Sequence, residues 1–190
     1  FMLKLSPREI LEIAKAMKPP PDGVLHWGAS LTAKTLRVFH DQFDTIVAVS
    51  PKIGNDLRKE TERPIAVIPT GVDPLPYEAG QAEAFRQAHG IEPEAEVILY
   101  VGRLAKEKNL DVLIEAFEHI AKARPRAVLV FVGGFAYKDV LEEAAHNHTY
   151  GDRIIFTGKI PRQSLAAAYE TAQVFVFPSL TDTQALVLNE

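Results

Sequence analysis

From residue 96 onward the chain alternates two kinds of apolar segment. Short unbroken runs, EVILYVG (96–102), AVLVFVGG (127–134), RIIFTG (153–158) and VFVFPS (174–179), are separated by stretches whose apolar residues recur every three or four positions. In NLDVLIEAFEHIAKA, residues 109–123, Leu110, Leu113, Phe117 and Ala121 share one helical face. Further helices are expected near 137–146 and over 162–171. A strand that is apolar on both sides must be covered on both sides. Four such strands alternating with helices predict an α/β fold, a Rossmann-like parallel sheet with helices on both faces. Its crossovers are expected to be right-handed.

The first part of the chain has a looser pattern. PREILEIAKAM (7–17) spaces its apolar residues as a helix and is ended by the three prolines at 19–21, and a second helix is expected around 30–40. TIVAV (45–49) and PIAVIP (64–69) read as strands, with Ser50 and Pro51 as the start signal of a helix between them. TGVDPLPYEAG then gathers Gly71, Pro74, Pro76 and Gly80, which favour turns over regular structure. Three parts are therefore expected: 1–70 as the end of one Rossmann-like domain, 71–93 as linker and helix, and 94–190 as a second Rossmann-like domain.

Composition narrows the function. Hydrophobic residues make up 47% and charged ones 24% of the 190, ordinary for a chain that buries a core. A net charge of -4 argues against a nucleic-acid partner held by phosphate contacts. With no cysteine there is neither a disulfide framework nor a thiolate metal site, which fits a cytoplasmic protein. No apolar run approaches the ~18 residues of a membrane span, and the N-terminus lacks a signal-peptide pattern. GxSxG, Walker-type and HExxH motifs are absent. His146 and His148 have no acid or cysteine close in sequence, so no metal site is expected there.

In an open parallel sheet, ligands gather outside the carboxyl ends of the strands. After the first of the four runs comes VGRLAKEKNL: Gly102 permits a sharp turn, Arg103 offers a planar fork of donors, and Lys108 stands at the lip of the next helix. Two cations beside a helix N-terminus suit a diphosphate, although a plain surface loop carries the same residues. Gly133 and Gly134 allow either a tight turn or close approach to a ligand. TGKIP could present Ile160 to a flat base or simply turn the chain. In TDTQALVLNE (181–190), Leu186 to Glu190 are expected to begin a helix. Asp182 would then lie just before that helix and Glu190 two turns into it, on one side. Carboxylates so placed can accept hydrogen bonds from vicinal sugar hydroxyls, or serve as a cap and a solvated position.

Taken together, IPTGVDP, ILYVGRLAKEKNLDVLIEAF, FVGG and IIFTGKIPRQSLAAAYETAQVFVFPSLTDTQALVLNE resemble the retaining, nucleotide-sugar-dependent glycosyltransferases of family 4, which have the GT-B fold. The resemblance covers roughly residues 43–190. It implies that Arg103 and Lys108 hold the donor diphosphate, that Asp182 faces the donor sugar, and that Glu190 binds the ribose. It also places backbone groups near Gly102, Gly133 and Ile160, and at Gln184, Ala185 and Leu186, against the donor. Asp182 stands where the family usually has Glu, and Gln184-Ala185 where Phe-Gly is common. The Asp-Thr-Gln form looks most like the branch that glucosylates diacylglycerol. The implied reaction moves a hexose, with UDP-glucose the expected donor, to a lipid or sugar acceptor without a cofactor or metal. Peripheral membrane contact is expected of the full-length protein only. The family also implies a longer chain at both ends. The 190 residues are thus expected to be a fragment of such a transferase, inactive alone, with a non-catalytic nucleotide-sugar-binding module as the alternative reading.

Overall fold

The computed structural model describes residues 37–179 and 182–189. The expected helix over 7–17 and most of that over 30–40 lie outside the described residues, with 37–40 helical. The chain divides into two compact units between Pro69 and Thr70.

In the first unit, β1 (Ile46–Ala48) and β2 (Ile65–Val67) pair in parallel, joined by α1 (Pro51–Leu57). Ser50 caps α1 by accepting a hydrogen bond from the Ile53 N–H, and Pro51 fills the first turn, where no N–H is needed. The cap that the sequence suggests is the cap that forms.

The second unit holds a four-stranded sheet in the order β5-β4-β3-β6, all parallel: β3 (Glu96–Val101), β4 (Ala127–Val132), β5 (Ile154–Gly158) and β6 (Val174–Phe175). Period-two alternation divides the core. Ile98, Tyr100, Leu129 and Phe131 face one side, with Leu110, Leu113, Ile114, Phe117 and Ala121 of α3 (Leu110–Ala123) and Leu141 of α4 (Lys138–His146). On the other side Val97, Leu99, Val101, Val130 and Val132 meet Phe85 of α2 (Gln81–Ala88) and Ala167 and Ala168 of α5 (Leu165–Thr171). Both faces are covered, as the unbroken apolar runs require.

Two buried or half-buried arginines tie the ends of these layers together. The Arg86 guanidinium donates to the backbone carbonyls of Glu92, Ala95 and Thr171, joining α2, the approach to β3 and the end of α5. Arg153 donates to the carbonyls of Ala121, Arg124 and Pro125, satisfying acceptors left at the C-terminus of α3.

The fourth strand is shorter than VFVFPS suggests. Only Val174 and Phe175 pair with β3 as a strand, flanked by bonds from the Gln173 N–H to the Val97 carbonyl and from the Val176 N–H to the Leu99 carbonyl. Pro178 has no N–H to continue the ladder.

At the opposite ends of the central strands the backbone is crowded. Gly102 N–H donates to the Val132 carbonyl, and Gly133 N–H donates to the Gly158 carbonyl. A Cβ on Gly133, whose φ is +141°, would lie 1.9 Å from the Gly102 oxygen. Gly133→Ala should therefore lower stability in urea unfolding by at least about 2 kcal/mol, since neither backbone can retreat from the ladder. Gly90→Ala is the control: φ is +65° but no atom lies within 4 Å, so only the left-handed backbone is penalised, by about 1 kcal/mol. Equal losses in the two variants would refute the steric account.

Candidate functional site

Four connections leave the carboxyl edge of the second unit's sheet, and they carry most of the residues singled out in the sequence. After β3 the chain turns through Gly102 and Arg103 into a single 3-10 turn, Lys106–Lys108, before α3 begins. Asn109 between them is left-handed, with φ 58°. Tyr100, wholly buried in β3, donates its hydroxyl to the Arg103 carbonyl at 3.0 Å and so fixes the first bend of this turn. Burial, reinforced by the charge on Asp182, pushes the Tyr100 phenol up to about 12, so it remains a neutral donor.

Arg103 and Lys108 of this connection are held differently. Arg103 lies over the Phe135 ring at 5.1 Å and meets Glu107 at 3.4 Å, with both side chains about half exposed. An ion pair so exposed contributes roughly 0–1 kcal/mol, which leaves the guanidinium easily recruited by a stronger partner. Lys108 is only 8% exposed. Its Nζ donates to both carboxylate oxygens of Asp182, at 2.7 and 2.8 Å, and lies 5.9 Å from the centre of the Phe177 ring. Phe177 in turn stacks on Tyr100. A half-buried aromatic floor thus supports a charge-assisted pair.

That pairing brings together two residues 74 positions apart. The sequence puts Lys108 with the diphosphate and Asp182 with the sugar, and nothing in it links the two directly. Burial raises the Asp182 carboxyl, but the Lys108 hydrogen bonds and the nearby positive charge outweigh this and hold it below its ordinary value of 3.8.

The segment after Asp182 departs from expectation. Where a helix is expected from Leu186, the described residues form one 3-10 turn, Leu186–Leu188, closed by the bond from the Leu188 N–H to the Ala185 carbonyl. Ala185, directly before this turn, is left-handed, with φ 52°. The expected place of Glu190, two turns into that helix, lies outside the described residues. Gln184 uses its side chain: Oε1 accepts from the Thr70 N–H at 2.9 Å and Nε2 donates to the Thr70 carbonyl at 2.8 Å. Leu186 is exposed at 40%.

On the remaining connections, Gly133 touches Gly102, and Ile160 packs half-buried against the core beside α2 and α5. His148 accepts a hydrogen bond from the Tyr150 N–H through Nδ1, a local turn contact. Among the described residues no three of His, Cys, Asp or Glu gather into a metal-binding group, and no helix is long and apolar enough to cross a membrane.

Sequence reasoning missed Tyr100, Phe135 and Phe177 as supports of the cations, and the Gln184 side chain as a backbone partner. Tyr100 and Phe177 sit within apolar runs and read as core. The only signal at Gln184 was an amide where an aromatic residue is usual.

A parallel α/β unit with cations and an acid at the carboxyl ends of its strands has its candidate site where such sheets usually hold ligands. Residues 81–190 match the family described as Glycosyl transferases group 1, and the chain belongs to that family. It is 29% identical over 168 residues to the alpha-monoglucosyldiacylglycerol synthase of Streptococcus pneumoniae, a match covering 85% of this chain and 38% of that protein. It is likewise 29% identical over 231 residues to the sulfoquinovosyl transferase SQD2 of Arabidopsis thaliana, covering 99% of this chain and 43% of that one. The sucrose-phosphate synthase structure from Thermosynechococcus elongatus superposes with a TM-score of 0.65 at 28% identity, over 76% of this chain and 37% of that one. Anabaena HepE, solved with UDP and glucose, shares the fold with a TM-score of 0.67 at 17% identity, over 80% and 42% of the two chains. The chain spans about two fifths of the length of the curated relatives it matches.

The depressed Asp182 carboxyl gives a pH signature. Its folded pKa lies below the unfolded value, so its stabilising contribution is complete above the ordinary 3.8 and is lost as pH falls through the folded value. The stability difference between wild type and Asp182→Asn should be constant from neutral pH to about 5 and shrink below about 4. Urea unfolding across that range measures it, and a difference that does not respond to pH would remove the ion pair from the account.

Proposed function

We propose that the chain is the donor-binding part of a retaining glycosyltransferase that moves a hexose from a nucleoside diphosphate sugar to an acceptor. UDP-glucose is the donor we assign, and diacylglycerol the acceptor of the full-length protein. The observation that carries the reading is the Lys108–Asp182 pair at the carboxyl edge of the sheet, with Arg103 on the same β3 connection. Support for glucose and a diacylglycerol lipid comes from the names of the relatives, among them the monoglucosyldiacylglycerol synthases at 29% and 28% identity.

The roles follow from the chemistry of the groups. Arg103 and Lys108 would face the diphosphate and stabilise the negative charge that builds on it as the bond to the sugar breaks. Fixed charge at a leaving group is usually the largest electrostatic contribution to catalysis. Neutralisation is assigned to these side chains, so the proposal includes no metal. Asp182 would orient the sugar hydroxyls by accepting their hydrogen bonds. The acceptor, and the membrane surface from which a lipid would be taken, belong to parts of the full-length protein beyond this chain.

Calorimetry on the chain with uridine, UDP and UDP-glucose tests the assignment. Arg103→Ala should weaken UDP about tenfold or more, the equivalent of a charge-assisted hydrogen bond of roughly 1.5–3 kcal/mol, and leave uridine nearly unchanged. Equal weakening of both would dissociate Arg103 from the phosphates. Flotation with anionic vesicles should show little binding at physiological salt, because residues 94–190 present no basic amphipathic face. Firm binding would move membrane contact into this half.

A further inference from the structure

We infer that Gln184 is a positioning residue, whose side-chain amide fixes the loop carrying Asp182 by clamping it to the backbone of Thr70. The inference rests on the donor-site reading above for its meaning in catalysis, but not for the geometry.

Three observations converge on this loop. First, the Gln184 amide meets both polar groups of one residue, the Thr70 N–H at 2.9 Å and the Thr70 carbonyl at 2.8 Å, across 114 positions of sequence. This pairing copies the two-bond pattern of a β-bridge, with a side chain standing in for one strand. It needs a group that is donor and acceptor at once, which among neutral side chains of this reach is the amide of glutamine.

Second, Thr70 opens a segment that is itself tied to the rest of the unit. The segment it begins is fastened again by Arg162, which donates to the Asp73 carbonyl, and by Tyr77, whose hydroxyl donates to Glu170 at 2.9 Å. Both partners lie on the β5–α5 turn or on α5, which pack against the same core as the sheet.

Third, the loop holds a conformation that needs outside support. Ala185 has φ 52°, a region that residues with a Cβ rarely adopt, and such positions persist where the surroundings determine them. Asp182 is anchored on one side by Lys108 and Gln184 on the other by Thr70, two residues apart. Freed from Thr70, the loop would relax at Ala185, and the Asp182 carboxylate would no longer be delivered in bidentate register to Lys108. Bonds this exposed add little to overall stability, so the clamp acts on placement.

The test uses Gln184→Met, which keeps the length and loses both bonds, beside Gln184→Ala. Amide exchange at Thr70 and titration of the Asp182 carboxyl, both by NMR, need no ligand. Calorimetry with UDP and UDP-glucose adds the functional readout. In both variants Thr70 exchange should accelerate by about tenfold, and the Asp182 pKa should rise toward the ordinary value. UDP-glucose should weaken by roughly threefold more than UDP, because only the sugar would reach Asp182. Faster exchange at Thr70 with Asp182 titrating as in wild type would reduce Gln184 to a strap and overturn the positioning role. A Gln184→Met variant that matches wild type in exchange and titration would overturn it equally. If wild type binds neither nucleotide, the donor reading fails, while exchange and titration still decide the clamp.

Discussion

Val97, Leu99 and Tyr100 of β3 have no solvent exposure, and β3 lies between β4, which pairs along its whole length, and β6, which pairs with Ile98 and Leu99. A strand in that position has no face left for a ligand. Everything polar that it carries must appear where it ends, in the turn through Gly102 and Arg103. The neighbouring strands are under the same constraint, so their exits fall at the same edge. Because Gly133 lies against the Gly102 carbonyl, the exits of β3 and β4 are held nearly in van der Waals contact. The apolar core and the polar edge are therefore one design: the tighter the core, the more rigidly the connections are aimed.

Rigid aim changes what the charges can do. Lys108 is nearly buried, and a lone ammonium there would be costly, so the fold supplies a carboxylate at hydrogen-bond distance from both its oxygens. Tyr100 and Phe177 supply the wall on which that pair rests. Arg103 sits one turn earlier in an exposed setting and is only loosely engaged. Arg103 and Lys108, on one connection, thus differ in readiness. One is stored with a counter-ion, and the other stands open to solvent.

The elements of the second unit were legible because each obeyed its own periodicity. The buried face of α3 is the one marked by Leu110, Leu113, Phe117 and Ala121, and β3, β4 and β5 form where the apolar runs stand. The cap at Ser50 was legible for the same local reason. What failed was local inference where tertiary contacts decide. A helix after Asp182 looked well signalled, yet the described residues there form one 3-10 turn, preceded by a left-handed Ala185 that no nearby residue announces. The run that forms β6 is as apolar as its neighbours, yet only Val174 and Phe175 pair as a strand, and Pro178 has no N–H to extend the ladder. Side-chain pairings across 74 and 114 residues leave no trace in spacing. The types of residue at the site could be read, but their partners could not.

The pairing of Lys108 with Asp182 also bears on how a donor would enter the proposed site. A diphosphate competes with a carboxylate for the same ammonium, and a carboxylate that loses its counter-ion in a half-buried place needs a replacement hydrogen-bond donor. A sugar hydroxyl on the arriving donor is such a replacement, whereas a bare nucleoside diphosphate offers none at that point. On the proposed function, the ion pair therefore favours ligands that satisfy both partners together. It would discriminate a nucleotide sugar from its own product nucleotide through exchange of partners, with no additional contact to the base. Selectivity of that kind depends on where the carboxylate is held, and the loop from Asp182 to Ala185 is the part of the structure that holds it.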